Sequence, residues 1–167
     1  VKKYGTHSAL NMFDEFSMIY AGPLAEYVGF TESEVKILCD RYHMDMEEIR
    51  EWYDGYLFGR TEVYNPWSVI NYVKEVSADD EAFPKPYWAN TSSNSIVRVL
   101  IEHADNSVRQ EMENLLEGGT IEKPVHEDIT YDEVYKSEDN LWNFLFFTGY
   151  LKKQGERFDG ETLYLTL

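Results

Sequence analysis

Apolar side chains recur at every third or fourth position through the first two thirds of the chain, which is the period of helices that bury one face. The clearest predicted helix runs from about Glu32 to Tyr42. Thr31 and Glu34 form a capping box in front of it, in which the hydroxyl and the carboxylate satisfy backbone donors that the first turn leaves without partners. The helix is therefore predicted to start at this box.

Further helices are predicted where a capping signal precedes an apolar stripe. Four of them begin at Asp45, at Asn65 followed by Pro66, near Ile96, and at Ser107 paired with Gln110. The fifth is the almost wholly apolar segment 140–147. Glycines end two of them, because Gly55 follows the second helix and Gly118 follows the helix of Ser107. Helices at this spacing are expected to pack in pairs.

The period changes to two near residue 150, which is the pattern of strands. Residues 150–154 and 163–167 predict a β-hairpin with its turn at 155–160. A shorter hairpin is predicted over 56–64, turning at Gly59-Arg60. The predicted fold class is mainly α with a small β component, a helical bundle followed by a segment that ends in a β-hairpin.

Composition narrows the class of protein. The 167 residues include 15 Lys and Arg against 31 Asp and Glu, a formal charge of −16. Such an acidic surface repels phosphate backbones and anionic lipid, which argues against nucleic-acid and membrane binding by the chain as a whole. The single cysteine, Cys39, excludes an internal disulfide and a thiolate zinc cluster, and no apolar run approaches the roughly 20 residues that span a bilayer. These features predict a cytoplasmic protein.

No motif in the sequence favours catalysis over a structural explanation. No glycine is followed by Lys, so the chain has no Walker A loop, and its four histidines lack metal-ligand spacing. Glu34-Val35-Lys36 matches the end of a nuclease motif, but it lies in a capped helix instead of on a strand. We therefore expect no catalytic residue and no metal site in this chain.

Two segments allow a binding role beside a structural one. Residues 51–56 place two carboxylates among aromatic rings, as sugar sites do, although a helix C-terminus with Trp52 and Tyr53 in the core explains them better. Residues 91–94 are either a polar, anion-binding start of a helix or simply its cap. The structural role is the preferred interpretation of both segments.

Both ends of the sequence look interrupted. The chain begins Val1-Lys2-Lys3 without Met, and residues 164–167 alternate like a strand in mid-run. We expect the chain to be a piece of a longer polypeptide.

Six blocks along the chain resemble one protein family. They read KYGTHSALN (residues 3–11), GFTE (29–32), WYDGY (52–56), YNPWS (64–68), YWANTSSN (87–94), and NLW through FTGYL (140–151). In order and spacing they resemble bacterial AAA-ATPase-like proteins that carry a C-terminal PD-(D/E)XK nuclease-like domain. The resemblance extends over nearly the whole chain.

This resemblance implies that the chain is the middle of a multidomain ATPase. Residues 1–29 would be the tail of the ATPase core and a connector, 30–119 a helical lid, and 120–167 a winged-helix-like segment. ATP and Mg²⁺ are implied for the longer protein, but no catalytic residue and no cofactor is implied for this chain. Its partners would be the adjacent ATPase and nuclease-like domains of the same polypeptide, and the oligomeric state stays open.

One set of candidate contact residues lies near the start of the chain, beside the implied nucleotide. These residues are Lys2, Lys3, Thr6 and His7. A solvated loop explains them more simply.

A second set suggests an alternative function, a protein-interaction module that needs no nucleotide. Trp67, Tyr87 and Trp88 would form its surface if the fold leaves them exposed together. The predicted terminal hairpin also carries a small basic group, formed by Lys152, Lys153 and Arg157. Because residues 120–139 are acidic, we expect this winged-helix-like part to pack on neighbouring domains and not on DNA.

Overall fold

The computed structural model describes residues 16–90, 99, 102, 104–130 and 132–167. The described residues belong to two compact units, one within 16–93 and the other within 94–167. Helices dominate and the strands are short, so the predicted class, mainly α with a small β component, is confirmed. In the part of the chain that the structure describes, no helix has both the length and the apolar character to cross a membrane.

The first unit contains three α-helices around a hairpin. Its elements are a 3₁₀ helix Gly22–Tyr27, α1 Glu32–Tyr42, α2 Met46–Tyr53, β1 Asp54–Phe58, β2 Thr61–Tyr64, α3 Pro66–Ala78 and a 3₁₀ helix Tyr87–Asn90. The predicted bounds of α1, the predicted start of α3 and the short hairpin are all confirmed.

Side-chain caps explain where these helices begin. The Thr31 backbone N–H donates to the Glu34 carboxylate at 2.8 Å, and the Glu34 N–H donates to the Thr31 hydroxyl, so the predicted capping box is present. The Asp45 carboxylate accepts from the Glu47 N–H at 2.7 Å at the start of α2. The Asn65 side chain accepts from the Ser68 N–H at 3.2 Å at the start of α3.

Backbone hydrogen bonds join the hairpin of the first unit to the segment that precedes α1. β1 and β2 pair antiparallel, with Phe58 opposite Thr61. Phe30 and Tyr64 exchange two backbone hydrogen bonds, of 2.8 and 3.2 Å, in an isolated bridge. The helices pack around a hydrophobic core, which consists of Val35, Cys39, Met44, Ile49, Tyr53, Tyr64, Val69, Tyr72, Val73 and Val76.

Within residues 104–130 and 132–167, the second unit packs two α-helices with a three-stranded sheet. Its elements are α4 Asn106–Leu116, β3 Glu122–Pro124, a 3₁₀ helix Val134–Lys136, α5 Glu138–Phe147, β4 Gly155–Phe158 and β5 Leu163–Thr166. The strand order is β3-β5-β4, with antiparallel neighbours. The apolar segment predicted at 140–147 is α5, in which Trp142, Phe144 and Phe146 are buried.

Three sequence predictions for the second unit are wrong in detail. The segment 155–160, predicted as a turn, contains strand β4, and the turn lies at 159–162, where the Asp159 carboxylate accepts from two backbone N–H groups. The cap of α4 is Asp105 and not Ser107, because the Asp105 carboxylate accepts from the Val108 N–H at 3.0 Å. Residues 150–154, predicted as the first strand of the terminal hairpin, lie outside any strand, and strand β3 was not predicted.

The compact units divide the chain differently from the predicted segments 1–29, 30–119 and 120–167. Helix α4 belongs to the unit that holds the terminal hairpin, and residues 16–29 belong to the unit that holds α1–α3. The helix predicted near Ile96 and the polar segment 91–94 lie largely outside the described residues.

Candidate functional site

The candidate interaction residues meet where the N-terminus of α3 approaches the 3₁₀ helix Tyr87–Asn90. The Trp67 side chain is in the first turn of α3 and is 55% exposed, while Trp88 is 38% exposed and Tyr87 is half-buried. The Trp67 indole N–H donates to the Tyr87 carbonyl at 3.2 Å. The fold therefore brings these two segments together and leaves two indole rings accessible to a partner. We call Trp67 and Trp88 the tryptophan surface.

Tyrosine packing beneath the tryptophan surface holds the loop that precedes Tyr87. The Tyr53 hydroxyl accepts from the Lys85 N–H at 2.9 Å and lies 3.1 Å from the Lys85 carbonyl, to which it donates. The Tyr53 ring lies 5.9 Å from the Tyr72 ring and 6.0 Å from the Tyr87 ring, between centroids. Such tilted contacts between buried aromatic rings are favourable. The surface thus rests on a packed support.

Burial of these rings changes their acid–base behaviour. Burial raises the pKa of Tyr53 to about 12, and burial together with the nearby Glu48 carboxylate raises the pKa of Tyr72 to about 12. Burial, followed by the Glu75 carboxylate, also raises the pKa of Tyr87. The Lys85 ammonium forms an ion pair with the Glu75 carboxylate and lowers the pKa of that carboxyl. All three phenols therefore keep their protons to a higher pH than an exposed tyrosine does.

Carboxylates of the same unit pair with two residues of the candidate basic group at the terminal hairpin. Lys153, whose side chain is only 13% exposed, pairs with Glu156 at 3.0 Å. Arg157 pairs with Glu122 at 2.6 Å and stacks 4.4 Å from the Tyr164 ring centroid. These contacts hold β4 against its sheet. The carboxylate partners of Lys153 and Arg157 therefore lie within the same unit as these cations. Lys152 is exposed.

The other candidates are distributed as follows. Lys2, Lys3, Thr6 and His7 lie outside the described residues. Tyr53 enters the core as predicted, but Trp52 is 47% exposed, so the expectation that both rings fill the core is wrong for Trp52. Among residues that the structure describes, no group of three or more His, Cys, Asp or Glu is placed to hold a metal ion.

A charged cluster in the second unit lies outside the sequence predictions. The Lys123 ammonium pairs with Glu111 at 2.7 Å and lies 5.7 Å from the Trp142 ring centroid. A hydrogen bond to Asp105 raises the pKa of Glu138, and the same bond lowers the pKa of Asp105. These groups come from α4, β3 and α5. Their spacing along the chain does not predict that they lie close together.

The hydrophobic pattern also does not single out Tyr27, which is 81% exposed. It lies in a short 3₁₀ helix, whose period differs from the helical and strand periods that the pattern detects. Tyr27 lines a hollow of about 720 Å³ together with Glu26, Glu32 and Glu62. The sequence analysis did not predict this hollow.

Among the predicted contact sites that lie within the described residues, the tryptophan surface is the one whose residues the fold brings together and exposes. It presents two partly exposed indole rings, one of which donates a hydrogen bond to the Tyr87 carbonyl. Comparison of the chain with protein-family models, with curated proteins and with solved structures finds no match.

Proposed function

We propose that this chain is a non-catalytic connecting module, the helical lid and winged-helix-like part of an ATPase that is coupled to a nuclease-like domain. In this role the module docks against the adjoining domains and passes on a nucleotide-dependent change in their arrangement, as hinged domains do. Its own residues supply contact surface and rigidity. ATP and Mg²⁺ would be bound by the ATPase core.

One observation carries this proposal: four of the blocks that resemble the family are in direct contact. Phe30 bonds to Tyr64, the Asn65 N–H donates to the Tyr53 carbonyl at 3.3 Å, and Tyr87 contacts Tyr53. Blocks separated along the chain therefore form one packed body. A resemblance spread over such blocks is what a shared fold would produce, and it supports the lid assignment more than any catalytic role.

The tryptophan surface supports docking as the mode of action. Both of its residues belong to these blocks, and exposed tryptophan is among the most frequent anchors of protein interfaces. The surface also favours the second candidate function, a protein-interaction module that works without nucleotide. The two candidates differ in whether nucleotide binding by the longer polypeptide depends on this module.

The test is calorimetry with a non-hydrolysable ATP analogue and Mg²⁺. It compares this 167-residue chain with the same chain extended upstream through the implied ATPase core. We expect binding by the extended polypeptide, altered when α1–α3 are deleted, and no binding by the chain alone. Binding by the chain alone would contradict the non-catalytic role, and absence of binding by both would favour the interaction module.

A further inference from the structure

Large apolar side chains are exposed at the beginning of the first unit. They are Phe16, Tyr20, Leu24, Tyr27 and Val28. The backbone beneath them is fixed, because the Gly59 N–H donates to the Met18 carbonyl at 2.8 Å and Ala21 and Ala25 are buried. We call these five exposed residues the apolar face.

An acidic hollow adjoins the apolar face at Tyr27. Its volume is about 720 Å³, and its charged lining consists of Glu26, Glu32, Glu34, Glu62 and Lys36. Arg50 pairs with Glu32, so carboxylates outnumber cations there by four to two. The hollow therefore combines an excess of negative charge with an exposed aromatic ring.

We propose that the apolar face and the acidic hollow together dock a basic segment of another protein, anchored by apolar side chains. A Lys or Arg of that segment would enter the hollow, pair with its carboxylates and lie against the Tyr27 ring. Apolar side chains of the same segment would cover Leu24 and Tyr20. This proposal does not depend on the ATPase context.

Charge selects this occupant over others. A second copy of the chain carries the same formal charge of −16, and nucleic acids and anionic membranes are also negative, so all three are repelled. A basic protein segment is attracted, and the apolar face gives it contact area that charge alone does not provide.

The test is fluorescence anisotropy with a short fluorescein-labelled peptide of alternating Lys and Leu. A Ser-Leu peptide controls for apolar contact and a Lys-Ser peptide controls for charge. We expect the Lys-Leu peptide to bind most tightly, and its binding to weaken when NaCl rises from about 0.05 to about 0.5 M. Equal binding of all three peptides, or no binding of the Lys-Leu peptide, would overturn the proposal.

Matched variants locate the binding site. Glu26→Lys should weaken Lys-Leu binding by about fivefold or more. Glu113→Lys, at an exposed residue of α4, changes the net charge equally and should change the binding by less than about twofold. Tyr27→Ser should weaken binding at both salt concentrations, and Leu116→Ser, also at an exposed residue, should not. Equal losses in test and control variants would mean that binding is non-specific.

Two further measurements test the folding of the variants and the oligomeric state of the chain. Thermal unfolding checks each variant, and Glu62→Lys replaces Glu26→Lys if the latter fails to fold. Sedimentation of the chain alone tests self-association. A dimer that Tyr27→Ser dissociates would assign the apolar face to a second copy and overturn the proposal.

Discussion

Tyr53 connects three parts of the first unit through a single side chain. Its hydroxyl is bonded to the backbone of Lys85, and its ring contacts Tyr72 and Tyr87. The sequence identifies Tyr53 as a core residue from its place at the end of a helical stripe. It does not identify the bond to Lys85, because 32 residues separate the two and no local pattern links them.

Burial of tyrosine predicts a loss of stability in alkali. The pKa of Tyr72 is raised to about 12 in the folded chain, against about 10 in an unfolded one. Between these values the unfolded chain has released a proton that the folded chain retains. The free energy of unfolding therefore falls as pH rises from about 10 to about 12, by up to roughly 1.4 kcal/mol per pH unit for each such tyrosine.

Tyr72→Phe removes one of these titrating groups. We expect the variant to lose less stability than the parent between pH 9 and about 11.5, as measured by urea unfolding followed by circular dichroism. Tyr27→Phe, at an exposed position, is the matched control. An identical alkaline slope in Tyr72→Phe and the parent would show that Tyr72 does not titrate as a buried group.

Local signals located most of the helices well, but they missed two strands of the second unit, β3 and β4. A cap such as Thr31 with Glu34 acts within four residues, so the start of α1 can be located from sequence alone. Strand β3 has three residues and ends at Pro124, which gives no periodic pattern. The alternation near residue 150 was assigned to a strand, although the first strand of the terminal hairpin begins at Gly155.

The corrected cap of α4 is testable by two alanine substitutions. Asp105→Ala should lower the free energy of unfolding by about 1 kcal/mol, because the Val108 N–H loses its acceptor. Ser107→Ala, at the position that the sequence favoured, should change it by less than about 0.5 kcal/mol. Urea unfolding provides both values, and a larger loss for Ser107→Ala would restore the sequence interpretation.

The corrected turn of the terminal hairpin makes a second prediction of this kind. Gly160 has a φ of +104°, a conformation that residues with a side chain rarely adopt. Gly160→Ala should therefore cost about 1 kcal/mol or more, through strain alone, since an added Cβ meets nothing within 4 Å. Gly55→Ala, which also meets nothing within 4 Å and has no positive φ, should be nearly neutral. Similar thermal stabilities of the two variants would contradict the turn at 159–162.

Among the described residues, the tryptophan surface and the apolar face leave large apolar side chains exposed. The sequence named Trp67, Tyr87 and Trp88 as a contact surface on the condition that the fold leaves them exposed together. Whether these residues are exposed was not predicted, because exposure depends on packing between Trp67 and Tyr87, which are 20 residues apart in sequence. The apolar face was unforeseen for a similar reason.

The most direct measurement compares ATP-analogue affinity by calorimetry in the extended polypeptide and in two variants of it. Replacing both Trp67 and Trp88 with Ala should change the affinity by about fivefold or more, as coupling through a docked lid predicts. Trp52→Ala, which removes an exposed tryptophan outside the surface, should change it by less than about twofold. Equal effects of the double variant and Trp52→Ala, or no effect of either, would contradict docking through the tryptophan surface.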